Sequence, residues 1–159
     1  MAEWIEEWQY LMVFLLSATP WIEIAVVIPI AILVVGMSPL GVGVVSFIGN
    51  YLPVVIIVLL YERWKAWRAK RRPVEEESDT EVVSKRRARA QRIFERYGTP
   101  GLALLGPLVT GIHLAAVIAL MFGVRKQYIL LWMGLSLGIW AVILSVGSVF
   151  GIDLLERMG

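Results

Sequence analysis

The sequence predicts an all-α integral membrane protein: an N-terminal amphipathic or short spanning helix, then two inverted repeats, each a re-entrant helical hairpin followed by a transmembrane helix. Three observations predict it. Of 159 residues, 58% belong to the apolar set, and the mean hydropathy of +0.74 lies far above the balance of a soluble globular domain. The apolar runs are unequal: Leu11–Ala18, Ile22–Val35, Val42–Tyr61, Gly98–Val124 and Tyr128–Ile152. A helix needs about 20 such residues to cross a hydrocarbon layer of roughly 30 Å, so some of these runs are too short to cross alone. Lastly, twelve of the fifteen Lys and Arg fall between Arg63 and Arg96, against six acids in the same stretch, so the net charge of +2 conceals a strongly cationic loop. Loops of that kind stay on the cytoplasmic side.

The N-terminal helix occupies residues 1–19. Its opening, "MAEWIEEWQY", puts Glu3, Glu6 and Glu7 where a secretory signal would carry Lys or Arg, so no cleaved leader is expected. Trp4, Ile5, Trp8, Leu11, Met12 and Leu15 share one helical face, which suits either an interfacial helix or a short tilted span. Repeat 1, residues 20–64, reads as a hairpin from about Pro20 to Val45 opening outward. Pro29, Gly36 and Pro39 are its breakers, and a separate span from about Phe47 to Trp64 then runs inward. Residues 65–96 form the cytoplasmic loop, with helical extensions over Tyr61–Arg72 and Val82–Tyr97 on either side of Pro73 and the acidic run Glu75–Glu81. Basic runs also bind nucleic acid. This one joins two apolar blocks and interleaves acids with its cations, so its expected partner is anionic lipid headgroups and no nucleic acid.

Repeat 2, residues 97–152, contains "GPLVTGIHLAAVIAL", with Gly106, Pro107, Thr110, Gly111 and the only histidine of the chain, His113. As one straight helix, Gly98–Gly123 would reach about 39 Å and strand Arg125 and Lys126 on the outside, against the charge rule. If the chain turns back near Thr110 and Gly111, each arm reaches roughly 18 Å and both cations return to the cytoplasmic surface. Tyr128–Ile152 then crosses once, and residues 153–159 form a tail. The rival arrangement is four plain spans, since proline and glycine are also frequent in ordinary transmembrane helices.

The segments "IEIAVVIPIA" and "GMSPLGVGVVSFIGN" before the loop, with "FERYGTPGLALLGPLVTG" after it, resemble the small multi-drug export protein family over about Pro20 to Gly147. The likeness extends distantly to the DedA and SNARE-associated membrane proteins, whose re-entrant hairpins in inverted repeats agree with the topology above. Glu23 is followed here by Ile24 and Ala25, where related sequences commonly carry a nearby arginine. The resemblance implies transport of some kind.

The polar residues within the apolar runs are the candidates for chemistry. A carboxylate in hydrocarbon costs several kcal/mol, so Glu23 must be protonated, paired with a buried donor, or hydrated at the mouth of the first hairpin. His113 can switch charge near neutral pH and relay a proton, or tie two helices together as a neutral hydrogen-bonding residue. Asn50, in "FIGNYLP", can orient substrate or satisfy a carbonyl freed by Pro53. Thr110, Ser38, Ser46 and Ser136 are small polar positions suited to close helix packing, as are Gly134, Gly138 and Gly147 on the last span. One histidine and no cysteine cannot supply a metal site without Glu23 or backbone carbonyls, so no metal and no cofactor are expected. The glycine clusters lack the strand, lysine and acid of a nucleotide loop, and no Ser, His and Asp set stands in plausible order, so the chain does not read as an enzyme. The resulting expectation is a multi-pass protein of the cytoplasmic membrane, a secondary transporter of a small molecule or lipid, with a midplane site between hairpins and a homodimeric assembly. A lipid flippase or scramblase and a non-transporting membrane partner are the alternatives.

Overall fold

The computed structural model describes residues 2–19, 22, 24–71 and 81–158. Helix α1 spans Ala2–Ala18, α2 spans Ile24–Pro29 and widens into a π-helical stretch over Ile30–Val34, and α3 runs Pro39–Arg71. Then come α4, Glu81–Val109, α5, Ile112–Met121, and α6, Lys126–Met158. No strand occurs among the described residues. Two helical segments, Pro39–Tyr61 and Lys126–Gly151, are long and apolar enough to cross a membrane, whereas Ile24–Val34 and Ile112–Met121 are apolar but shorter. Pro73 and most of the acidic run that follows it lie outside the described residues, as do Pro20, Trp21 and Glu23.

The chain divides into two compact units. One comprises residues 1–53 and 134–159. In it Pro29 sits inside the first apolar helix. Proline lacks an N–H and crowds the preceding turn, and the hydrogen bonding beyond it loosens: Val35 N–H reaches the Ile30 carbonyl at 3.2 Å and Met37 N–H reaches that of Ala31 at 3.0 Å. The turn follows at Gly36, and Pro39, whose missing N–H is harmless in a first turn, opens α3.

From there α3 continues without the break expected between Val45 and Phe47. The segments expected as a return arm and a separate span are one helix. The glycines read as punctuation serve close packing instead. A Cβ at Gly49 would fall 2.8 Å from the Phe14 carbonyl oxygen and 2.9 Å from Ser17 Cβ, and one at Gly41 would meet the Tyr10 ring. Helix α1 therefore lies almost backbone to backbone on α3. On another side of α3, Gly43 faces Ser145, and Gly134 and Gly138 face the rings of Tyr51 and Phe47, which stack with centroids 5.6 Å apart. Gly147, grouped with these in the sequence, has nothing within 4 Å of its Cβ position.

The second unit is Val54–Met133. Gly98, at φ 66 and ψ −161, interrupts α4. That conformation is closed to residues with a Cβ, and it separates the charged stretch ending at Tyr97 from an apolar arm. The arm packs on α5: a Cβ at Gly106 would lie 3.2 Å from that of Ala115. Leu102, Ala103, Ala115, Ala116 and Ala119 are fully buried, and small residues of this kind let helices approach where lipid supplies no hydrophobic drive. At the far end of α5 the Phe122 ring stacks on Phe94 of the charged stretch at 4.4 Å.

Candidate functional site

The second unit contains a tip built from five of the residues singled out in the sequence. Pro107 is buried near the end of α4, and the Gly106 carbonyl accepts from both Thr110 N–H, at 3.1 Å, and Gly111 N–H, at 2.7 Å. This double acceptance closes the helix. Gly111 then takes φ 89 and ψ 134, a region reserved for glycine, so only two residues separate the end of α4 from the start of α5. Among the described residues no side chain caps α5, leaving first-turn N–H groups and the positive end of the helix dipole at the turn.

Two buried polar side chains flank that turn. Thr110 is 3% exposed, and its hydroxyl donates to the Gly111 carbonyl over a long 3.5 Å. His113, on the first turn of α5, is 5% exposed, and neither ring nitrogen has a hydrogen-bond partner among the described residues. A neutral imidazole carries one donor and one acceptor, and each buried polar atom left unpaired costs about 1–3 kcal/mol. The tip thus holds an unmet demand for a polar group.

The remaining candidates belong to the other unit or lie outside the described residues. Glu23 is outside them, and α2 begins at the next residue. Pro29, Gly36 and Pro39 shape the first turn, as described above. Asn50 is fully buried on α3. Its amide donates to the Ser46 carbonyl at 3.3 Å, whereas the carbonyl that Pro53 leaves without an N–H is Gly49's, four residues back. The Asn50 Oδ1 has no partner among the described residues, and neither do the hydroxyls of Ser46 and Ser17, both buried. Ser17 escapes sequence reading because a serine near the end of an amphipathic helix is unremarkable. Only its approach to Gly49 reveals it as part of a helix contact. No group of three His, Cys, Asp or Glu gathers to hold a metal among the described residues.

Two helices long and apolar enough to cross a membrane, shorter apolar helices beside them, and no strand among the described residues are consistent with one class, a helical membrane protein. The particular family follows from the sequence. Residues 23–143 match the family described as "Putative small multi-drug export protein", and the chain belongs to it. No curated protein and no solved structure matches the chain.

Proposed function

We propose that this protein is a small membrane exporter in which the apolar arm of α4 and all of α5 enter the membrane from the cytoplasmic side and return to it. The observation that carries the proposal is the tip at Thr110–His113. Non-helical backbone and unpaired polar atoms are tolerated at membrane depth only where they are covered by protein or line a wet cavity. An unwound turn with a half-helix N-terminus at that depth is how transporters hold a polar or ionic cargo. His113 would carry a proton or hydrogen-bond a substrate, Thr110 would supply a second polar contact, and Glu23 and Asn50 are the candidates contributed by the first half of the chain. In this reading the two halves are repeats of opposite sense, residues 65–96 face the cytoplasm, transport is ion-coupled, and the working form is a homodimer. A transporter, rather than an enzyme, also fits the family to which the chain belongs.

Reconstitution tests it. Proteoliposomes carrying the protein should show substrate-dependent proton flux that His113→Ala and Glu23→Gln each abolish while both variants elute and fold like wild type. Unchanged flux in both would remove the site. Translocation of a fluorescent lipid with no ion or drug flux would favour the lipid-handling alternative.

A further inference from the structure

We infer that the cytoplasmic end of α3 holds a phospholipid with an anionic headgroup. Residues of one α3 face, together with Val117 of α5, line a groove with a cavity volume of about 720 Å³. Both walls belong to the same compact unit. Along α3, Ile56, Ile57 and Leu60 line the groove before Tyr61, and Arg63, Trp64 and Trp67 line it after. Along a helix, Ile56 and Trp67 are about 16 Å apart, and Tyr61 is the last residue of the stretch able to cross a membrane. The groove therefore straddles the boundary between hydrocarbon and headgroups, about 7 Å below Tyr61 and about 9 Å above it.

Its chemistry changes at the same level. Below Tyr61 the α3 wall is aliphatic, suited to the upper part of an acyl chain. Above it stand two indoles, each about half exposed, of the kind that settles at the headgroup level, with the exposed Arg63 guanidinium among them. The sequence immediately beyond adds Lys65, Arg68, Lys70, Arg71 and Arg72. Glu23 is the single acid within this chain's apolar runs, so a second copy offers a cationic, aromatic rim little complementary charge, whereas a lipid phosphate meets both the charge and the depth. Arginine binds phosphate through a planar two-pronged donor set, so Arg63 is the specificity element and the indoles are walls.

The inference rests on the membrane placement proposed above but not on transport. The test uses the full chain, extracted in detergent and offered equal amounts of phosphatidylglycerol and phosphatidylcholine, with retained lipid counted by native mass spectrometry. Wild type should retain the anionic lipid about fivefold over the zwitterionic one, the factor that one cation near a lipid surface supplies. Arg63→Gln should bring that ratio close to one, and Arg125→Gln, an exposed cation outside the groove, should leave it unchanged. Val117→Trp, which fills the groove, should reduce retention of both lipids. Equal losses in the two arginine variants would mean diffuse charge attraction and overturn the site. So would a Val117→Trp protein that keeps its lipid, or one that changes from dimer to monomer instead, which would show a second copy seated in the groove. Wild-type protein that shows the lipid preference but no substrate-dependent proton flux counts against the transporter reading alone, and wild-type protein that shows flux with a lipid ratio close to one counts against the lipid site alone.

Discussion

Replacing His113 by leucine separates a residue kept for packing from one kept for function. The imidazole is buried with both nitrogens unpaired among the described residues, so the folded protein bears the cost of two desolvated polar atoms, about 1–3 kcal/mol each. Leucine has similar volume, and volume-conserving exchanges in a core usually cost less than about 1.5 kcal/mol. The balance is a net stabilisation of about 2 kcal/mol. For a chain of this length, that raises the unfolding midpoint by about 4–8 °C. Thermal unfolding of the purified protein in detergent, followed by circular dichroism, measures it, alongside the flux assay on the same preparation. The expected variant is more stable and does not transport. A His113→Leu protein destabilised by 2 kcal/mol or more would mean that the ring satisfies partners within the fold, and the reasoning about the tip would fail.

Three further outcomes follow from the geometry. Gly49→Ala forces a Cβ to within 2.8 Å of the Phe14 backbone and should destabilise by about 1–3 kcal/mol, whereas Gly147→Ala, with open space around it, should be neutral or gain up to about 1 kcal/mol of helix propensity; urea or SDS titration compares them, and equal effects would refute close packing of α1 on α3. Gly111→Val places a β-branched residue at φ 89 and should cost about 1–3 kcal/mol, seen as a lowered midpoint and faster proteolysis near the turn. Breaking the exposed Arg157–Asp153 pair, 2.9 Å apart on the last turns of α6, with Arg157→Gln should change stability by less than about 0.5 kcal/mol, read in the same titration.

The parts of the fold legible in the sequence are those that lipid dictates. A crossing helix must be apolar for about 20 residues whatever it packs against, so Pro39–Tyr61 and Lys126–Gly151 stand out. The turn at Thr110 and Gly111 is legible because a helix cannot pass φ 89 and only glycine accepts it cheaply. By contrast, the continuity of α3 through Gly41, Gly43 and Gly49 is invisible locally. The same residue type breaks a helix or lets another helix touch it, and the deciding groups, Tyr10, Phe14, Ser17 and Ser145, are distant in sequence. The π-helical stretch after Pro29 belongs to the same category: the proline announces a disturbance, but its form depends on where Met37 and Val35 find carbonyls. At the site, His113 and Thr110 are legible as polar residues out of place. The lack of a hydrogen-bond partner for His113 among the described residues is a tertiary fact, as is the burial of Ser17.

The doubling back of the chain at Thr110 and Gly111 is tested most directly by the membrane side of Gln127, an exposed residue at the start of α6. In this cysteine-free protein a single Gln127→Cys can be labelled in intact cells with a membrane-impermeant maleimide, before and after lysis. A turn back to the cytoplasmic side gives no labelling until the cells are opened. Labelling from outside would place Arg125 and Lys126 on the exterior and show that Gly98–Gly123 crosses the membrane outright.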